Sequence, residues 1–193
     1  MAVSKKVTRH LEKRGVKFSI VTHRKVYTAY DLAQTLGEDL GKIAKSLLVR
    51  VDLPVIQRKG KYYFVVVLPA SYRVDVLRVR KALKAVRAKL APEAVMKRLG
   101  MKPGALVPFG SIYGLGTVMD KSLLRMKEAL MGAESLTESL RMRVKDFVKA
   151  EQPVVASVGV KGKAPKKQKA RKRAARAKRR PSMKHKTRPD TVI

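Results

Sequence analysis

The segment Lys61–Leu68 constrains the fold more than any other part of the chain. It reads Lys-Tyr-Tyr-Phe-Val-Val-Val-Leu, so the strand that it predicts is apolar on both faces. A strand of this kind lies inside a sheet, with other elements packed over both of its faces. A second strand candidate, Lys45–Val51, precedes it across a turn that contains Pro54 and Gly60. We therefore expect a sheet that has Lys61–Leu68 near its centre.

Helix and strand patterns alternate through the rest of the first 160 residues. Ser4 and Thr28 are candidate helix caps, and Gly15 and Gly37 are candidate helix ends. The longest expected helix is Val74–Leu90, whose apolar residues recur at spacings of three and four and whose other face is basic. The remaining predicted elements are the strands Val16–Thr22, Thr117–Met119 and Ser139–Val144, and helices from Pro92 to Gly100 and over Lys145–Gln152. Strands and helices interleave without strict βαβ regularity, which predicts an α+β (mixed α/β) fold: a single domain with a mixed, mainly antiparallel sheet flanked by helices.

Charge divides the chain into two parts. The sequence has 46 Lys and Arg against 14 Asp and Glu, a net charge of +32, and residues 161–193 hold 15 of the bases and one acid. From residue 161 to residue 180 only Lys, Arg, Ala, Gly, Pro and Gln occur, so this segment has no side chain large enough to build a core. We expect one folded domain over residues 1–158 and a disordered Lys/Arg-rich tail over residues 159–193.

The charge also indicates the class of partner. Residues 1–160 carry +18 even without the tail, and a surface this basic favours a polyanion, with nucleic acid ahead of membrane. There is no cysteine, which excludes disulfides and thiolate chemistry. The longest apolar run, Tyr62–Leu68, is too short to span a bilayer, and the N-terminus has no apolar signal segment. These features predict a soluble, cytoplasmic protein without a membrane partner.

The segment from Gly100 to Gly116 is the first candidate functional element. It contains five glycines and two prolines in 17 residues. Glycine lets the backbone approach a ligand closely and proline stiffens the neighbouring turns, so a binding loop is one interpretation. A pair of tight turns around a short strand is the other, and composition alone does not decide between them.

Two charged residues at strand ends are further candidates. Lys45 opens the strand Lys45–Val51, where a lysine either extends into solvent or holds a phosphate or carbonyl oxygen at the rim of a pocket. Asp120 follows a predicted strand, where it either faces a cleft or caps the short helix Lys121–Arg125. Both interpretations stay open for each residue.

The histidines do not suggest a site. His10, His23 and His185 have no spacing typical of metal ligands, and no cysteine is present to complete a zinc site. We expect no metal site and no cofactor.

An ordered set of motifs resembles a known family. The set is His23, Val26-Tyr-Thr28, Ile43-Ala-Lys45-Ser-Leu-Leu-Val, Val67-Leu-Pro-Ala70 with Val74-Asp75, Gly104-Ala-Leu-Val-Pro108-Phe-Gly110, and Val118-Met-Asp120. In this order, and over about residues 5–152, it resembles the YbaK-like aminoacyl-tRNA deacylases, the free-standing relatives of the editing domain inserted in bacterial prolyl-tRNA synthetases. The most specific elements are the lysine that opens the Lys-Ser-Leu-Leu strand and the Gly-x-x-x-Pro loop.

The resemblance implies an activity and a set of site residues. The family hydrolyses the ester bond between a wrong amino acid and the 3′-terminal adenosine of tRNA, which implies trans-editing of a small amino acid on tRNA-Pro or a similar tRNA. The implied catalytic residues are Lys45, Gly104 and Pro108, with Lys45 holding the acceptor end. The implied substrate-binding residues are Thr28, Ala105, Leu106, Val107 and Asp120. Relatives use the ribose hydroxyl of the substrate to assist water, so the resemblance implies metal-independent hydrolysis.

Basic residues outside these motifs are candidates for contacts with the tRNA backbone. On the predicted helix Val74–Leu90 they are Arg80, Lys84 and Arg87, and in the tail they are Lys166, Lys167, Arg171, Lys172 and Arg173. A synthetase or another part of the translation machinery is a further candidate partner. The main alternative is a non-catalytic RNA- or ribosome-binding protein on the same fold, and an unrelated hydrolase is a third hypothesis.

Overall fold

A computed structural model of the chain describes residues 3–54 and 61–162, which contain five α-helices and ten β-strands. The helices are α1 (Lys5–Glu12), α2 (Ala29–Leu36), α3 (Val76–Ala82), α4 (Glu93–Arg98) and α5 (Val144–Glu151). The strands are β1 (Phe18–Thr22), β2 (Ala44–Asp52), β3 (Lys61–Pro69), β4 (Tyr72–Val74), β5 (Arg87–Leu90), β6 (Gly116–Asp120), β7 (Glu128–Gly132), β8 (Glu138–Arg143), β9 (Val154–Ala156) and β10 (Gly159–Lys161). Short 3-10 helices cover Leu40–Lys42, Gly110–Tyr113 and Lys121–Arg125.

These strands form a five-stranded sheet, a three-stranded sheet and a two-stranded ribbon. The five-stranded sheet has the order β5-β2-β3-β6-β9, in which β5, β2 and β3 pair antiparallel and β3, β6 and β9 pair parallel. The three-stranded sheet, with the order β1-β8-β7, and the ribbon of β10 and β4 are antiparallel. The predicted α+β class with a mixed, mainly antiparallel sheet is confirmed.

Strand β3 lies at the centre of the five-stranded sheet, as its sequence predicts. Its residues Val65, Val66, Val67 and Leu68 are fully buried. Val65 and Val67 belong to a core that includes residues of α1 and α5, whereas Val66 and Leu68 belong to a second core that includes Val79 of α3. A strand that is apolar on both faces therefore separates two hydrophobic cores.

Helices α1 and α2 follow their predicted patterns. Oγ1 of Thr28 accepts a hydrogen bond from the Asp31 N–H at 3.1 Å and so caps α2, which ends at Gly37 in a left-handed conformation with φ 65°. Val7 and Leu11 of α1 are fully buried, although the Ser4 side chain makes no capping hydrogen bond.

The predicted helix Val74–Leu90 is wrong beyond its first half. Helix α3 ends at Ala82, and the chain turns through Lys84, with φ 49°, into β5. The reason is the edge of β2, because β5 pairs with it and the Val86 N–H donates to the Asp52 carbonyl at 2.8 Å. The main-chain groups of β2 need partners, and this requirement outweighs the helix propensity of the Ala, Lys and Arg residues. Val86, which the helical pattern places in a buried stripe, is 57% exposed.

The described fold also extends past the predicted domain boundary at residue 158. Residues 159–161 form β10, which pairs with β4, and the Gly162 N–H donates to the Ser71 carbonyl at 2.9 Å. Main-chain pairing needs no large side chain, so the loss of apolar residues after Val160 did not signal this strand. The rest of the predicted tail, residues 163–193, lies outside the described residues. Within the described residues, no helix has the length and apolar character needed to cross a membrane.

Candidate functional site

The candidate site lies at an interruption in the strand neighbours of β2. On one side β2 pairs with β3 along its whole length. On the other side Ile43, just before β2, bridges to Leu130 of β7, and contact with the β5 segment begins only where the Ala91 N–H donates to the Leu48 carbonyl at 2.8 Å. Residues 45–47 therefore face none of the described strands on that side. The antiparallel alternation directs the main-chain N–H and C=O of Ser46 toward this gap.

A cavity of about 400 Å³ opens at the gap. Its walls come from β2, the start of α2, the segment from β5 to α4, the segment 103–106, and β7 with the residues that follow it. The polar residues on these mainly apolar walls include His23, Thr28, Lys45, Ser46, Glu93, Ser135 and Ser139. A concave, mainly apolar cavity with a few polar groups is typical of a small-ligand site.

Lys45 contributes an ammonium group to the cavity. Its Nζ donates a hydrogen bond to the Ala70 carbonyl at 3.3 Å, and its side chain is partly buried on the cavity wall rather than free in solvent. Burial lowers the pKa of Lys45 from the ordinary lysine value, and the positive charge of Arg73 lowers this pKa further. A lysine ammonium has three N–H donors, so two remain for an oxygen atom of a ligand.

Ser46 is the next residue along β2 and was not singled out from the sequence. Its Oγ is buried and has no hydrogen-bond partner among the described residues. Leaving a buried hydroxyl unsatisfied costs roughly 1–3 kcal/mol, so we expect a water or ligand atom beside it. The only signal in the sequence is its place next to Lys45 in the strand motif.

The segment Pro103–Leu106 forms another wall of the cavity. Gly104 has φ 79°, a left-handed conformation that favours glycine. Gly132 of β7 lies against the same segment, and a Cβ there would come within 2.5 Å of the Leu106 carbonyl oxygen. The missing side chain at Gly132 therefore allows the segment to pack against β7 and to close the cavity.

Val107 and Pro108 are buried and are not among the residues that line the cavity. Val107 packs in the core that contains Phe109. The Gly-rich segment lines the cavity only up to Leu106, so ligand contact by Val107 and Pro108 stays a prediction that the cavity lining does not support. Its later part is the 3-10 helix Gly110–Tyr113, so the interpretation as tight turns around a short strand is wrong, and the interpretation as a binding loop stays a prediction for the part that lines the cavity.

His23 and Ser139 form a buried polar pair on the cavity wall. Nδ1 of His23 lies 2.8 Å from the Arg24 carbonyl oxygen, and Nε2 lies 3.0 Å from Ser139 Oγ. A carbonyl only accepts, so we assign the ring proton to Nδ1 and the Ser139 hydroxyl donates to Nε2. No pattern in the sequence pointed to this pair, although His23 heads the motif set. Residues 3–54 and 61–162 contain no group of three or more His, Asp or Glu side chains that could hold a metal ion.

Thr28 lines the cavity, whereas Asp120 does not. The Thr28 hydroxyl donates to the Asp31 carboxylate at 2.8 Å and is occupied in capping α2. Asp120 is 2% exposed, and its carboxylate accepts from the main-chain N–H groups of Ser122, Val158 and Gly159. It caps the 3-10 helix Lys121–Arg125 and anchors the start of β10, and these contacts account for the buried carboxylate without a substrate. Substrate contact by Asp120 stays a prediction.

The basic residues predicted for tRNA contact do not share one helix face. Arg80 belongs to α3, Lys84 to the turn after it and Arg87 to β5. Arg80 and Arg87 line a depression of about 260 Å³, and Lys84 is not among its lining residues. The predicted contacts in the tail, Lys166, Lys167, Arg171, Lys172 and Arg173, lie outside the described residues.

Comparison with known proteins finds a family model and a curated relative that match this chain. The model of the aminoacyl-tRNA editing domain matches residues 23–150. The prolyl-tRNA editing protein ProX of Acetoanaerobium sticklandii is 23% identical over 129 residues, which are 64% of this chain and 75% of ProX.

Two solved structures have a similar fold. The hypothetical protein APE2540 is 22% identical, with a TM-score of 0.70 over 81% of this chain and 100% of its own. A candidate trans-editing enzyme for prolyl tRNA synthetase is 24% identical, with a TM-score of 0.67 over 82% of this chain and 99% of its own.

The family match has the same extent as the candidate site. It covers more than half of the chain, and all the residues that line the cavity, from His23 to Ser139, fall inside it. This chain therefore belongs to the aminoacyl-tRNA editing domain family.

Proposed function

We propose that the protein is a trans-editing deacylase, which hydrolyses the ester bond between a wrongly attached amino acid and the 3′ end of tRNA. Family membership and the similarity to a prolyl-tRNA editing protein support a prolyl-tRNA editing or deacylase function in general. The observation that carries the proposal is the convergence on one cavity of the Lys45 ammonium, the unpartnered Ser46 hydroxyl and the backbone of residues 104–106.

The cavity has separate places for the two parts of an aminoacyl ester. Apolar walls that include Leu48, Met96 and Met131 suit the side chain of the amino acid. Lys45 has two N–H groups that remain for a ligand, and we assign one to an oxygen atom of the acceptor end and the other to the carbonyl oxygen of the ester. A volume of about 400 Å³ is at the small end of ligand sites and favours a small amino acid with part of the terminal ribose.

An aminoacyl ester is already activated toward hydrolysis. The protein therefore needs only to orient the water and to donate hydrogen bonds to the oxygen that becomes negative. Water adds to the ester carbonyl carbon, the bond from this carbon to the ribose oxygen breaks, and a proton from water ends on that oxygen. In the proposed mechanism a free N–H of Lys45 donates to the oxygen that becomes negative, and the ribose hydroxyl of the substrate orients the water. No metal takes part. A separate hydrolytic site is useful because one methylene gives a synthetase only about 1–3 kcal/mol of discrimination.

A deacylation screen tests the proposal. tRNA-Pro charged with Ala, Cys, Ser, Thr or Pro is incubated with the full chain, with and without EDTA, and the remaining ester is measured over time. We expect faster loss of one small amino acid than of Pro, and no effect of EDTA. A protein that binds all these tRNAs but hydrolyses none would be the non-catalytic RNA- or ribosome-binding alternative. Activity that EDTA abolishes and added metal restores would refute metal independence.

The proposed activity also implies a nucleic-acid partner, a cellular compartment and a candidate protein partner. The tRNA is the macromolecular partner, because the chain carries a net charge of +32 and belongs to a tRNA editing family. The cytoplasm is the place of action that this substrate suggests. A synthetase or another part of the translation machinery is a candidate second partner, which co-purification with the full chain would test.

A further inference from the structure

Helix α1 has one buried face and one strongly basic face. Val7 and Leu11 are fully buried in the larger core. Around the rest of the helix, a depression of about 440 Å³ is lined by the α1 surface, which we define as Lys5, Lys6, Arg9, Lys13 and Arg14, together with His10, Ser111 and Ile112. The helix precedes residues 23–150, so this surface lies outside the matched editing domain.

The positive charge of the α1 surface is not neutralised within the described residues. Their ion pairs include none of its five members. Lys6 Nζ lies 4.4 Å from the centroid of the Tyr113 ring, and Arg14 donates to the Ala150 carbonyl and to His10 Nδ1. These contacts hold Lys6 and Arg14 in place without an ion pair, and Lys5, Arg9 and Lys13 are exposed. Like charges on successive turns repel each other, and an anionic partner would relieve this repulsion.

A hydrogen-bond network fixes the floor of the depression. His10 Nε2 lies 3.2 Å from Ser111 Oγ, and Ser111 donates from its hydroxyl and its N–H to the Glu151 carboxylate at 2.7 and 2.9 Å. The same carboxylate accepts from the Thr117 hydroxyl at 2.6 Å. These hydrogen bonds direct the carboxylate toward Ser111 and Thr117, and it makes no ion pair with any of the five members of the α1 surface.

The segments that contact α1 are continuous in sequence with segments that line the cavity. Ser111 belongs to the 3-10 helix Gly110–Tyr113, which continues from the cavity segment Pro103–Leu106. At its other end α1 is tied to β7, since the Ser4 N–H donates to the carbonyl of Ala133, the neighbour of the cavity residue Gly132. The basic helix is therefore held in a defined position relative to the cavity.

We propose that the α1 surface binds the sugar-phosphate backbone of the tRNA whose aminoacyl end occupies the cavity. This inference rests on the proposed function. Lys5, Arg9 and Lys13 follow one another at four-residue intervals, about 6 Å apart along the axis, so they form a row that suits a repeating anion. A lipid surface fits less well, because an interfacial helix inserts its apolar face, and the apolar face of α1 is buried in the core.

The test compares two double variants that lose the same charge. R9A/K13A removes two members of the α1 surface, and K121A/R125A removes two exposed bases with the same four-residue spacing on the 3-10 helix Lys121–Arg125. Equilibrium binding of uncharged tRNA to the full chain is measured across a series of salt concentrations. For R9A/K13A we expect the slope of log affinity against log salt to fall by about 1.4–1.8, which is about 25- to 60-fold weaker binding at 0.1 M salt when the lines meet at 1 M. Thermal unfolding checks that both variants are folded.

The readout does not depend on hydrolysis, so the two proposals fail separately. Weaker tRNA binding by R9A/K13A supports the inference even if no ester is cleaved in the deacylation screen. If R9A/K13A loses no more affinity and no more salt slope than K121A/R125A, the inference is overturned, whatever the deacylation rates. Where deacylation is observed, the α1 variant should raise KM for mischarged tRNA and leave kcat unchanged.

Discussion

Lys45 and Ser46 are neighbours on one strand, their side chains leave it on opposite faces, and yet both line the same cavity. This is possible because the cavity surrounds an edge of β2 that no strand covers. A ligand at this edge meets a positive charge from one face of the strand and a hydroxyl from the other. Binding of a ligand here therefore depends on the uncovered edge of β2 as much as on the side chains of Lys45 and Ser46.

Replacing Lys45 with alanine should remove most of the deacylation. Loss of one positioned donor to a reacting oxygen lowers kcat by about 10²–10³ in other enzymes. The fold should persist, because the side chain is only partly buried, and thermal unfolding checks this. Lys17→Ala, which changes an exposed lysine before β1, is the matched control. Near-wild-type turnover by Lys45→Ala would contradict the assigned role.

The pH profile should report the environment of Lys45. Burial and the charge of Arg73 lower its pKa, so the ammonium loses its proton at a lower pH than an ordinary lysine, and activity that needs the ammonium falls as pH rises through this pKa. Arg73→Gln removes the repulsion, so the alkaline limb of kcat/KM should move to higher pH. Spontaneous ester hydrolysis is subtracted at each pH, and Arg98→Gln serves as a charge control. An unmoved limb would mean that Lys45 does not control it.

Local sequence patterns were enough to predict the elements α2, β2 and β3. They were not enough to predict the strands β5 and β7 beside the cavity. Thr28 and Gly37 mark the ends of α2 by their own chemistry, and β3 carries its apolar pattern within one segment. Strand β7 reads Glu-Ala-Leu-Met-Gly, which is a helix-forming composition, and β5 continues a helical stripe. β5 is a strand because it pairs with the distant β2, whereas β7 is a strand because it pairs with the neighbouring β8 and bridges through Leu130 to Ile43. The gap that forms the site lies between β7 and β5, so the sequence predicted the site residue Lys45 and not the geometry around it.

Gly132→Ala should disturb the cavity wall. The new Cβ would lie 2.5 Å from the Leu106 carbonyl oxygen, so the segment 103–106 must move, and overpacking of this kind typically costs about 1–3 kcal/mol of stability. Deacylation per folded molecule should fall. Gly116→Ala is the control, because its Cβ would come within 2.5 Å of the Phe64 ring in the core and strain a place outside the cavity lining. If both variants lose stability and both keep kcat, Gly132 does not position the wall.

For the whole molecule, basic charge is the dominant property, and it is found in both the domain and the tail. Residues 1–162 carry +19, and residues 163–193 carry 14 Lys and Arg against one Asp. The charge of the domain alone therefore still favours a polyanionic partner when the tail is absent. Every residue of the proposed site lies in the domain. Loss of the tail should therefore change the affinity for tRNA and not the rate of hydrolysis.

Removal of residues 163–193 should weaken tRNA binding for all tRNA sequences alike. The slope of log affinity against log salt should flatten by roughly 0.7–0.9 for each phosphate that the tail neutralises in the complex. The single-turnover rate at saturating tRNA should hardly change. A chain of full length in which the 14 basic residues of the tail are replaced by Gln separates charge from length. A large fall in the saturated rate with unchanged affinity would place part of the active site in the tail.

The pairing of β1 with β8 has a consequence for how the chain is made. Phe18 pairs with Met142 and Thr22 with Glu138, so the partners are more than 110 residues apart in sequence. Contacts between such distant residues form slowly, and in a nascent chain the first strand has no partner until most of the domain has been synthesised. The basic helix before β1 packs in the same core as Phe147, so it too waits for late residues. Helix α1 therefore gains its partners in the core only after most of the domain has been synthesised, and we expect its basic surface to dock late in folding.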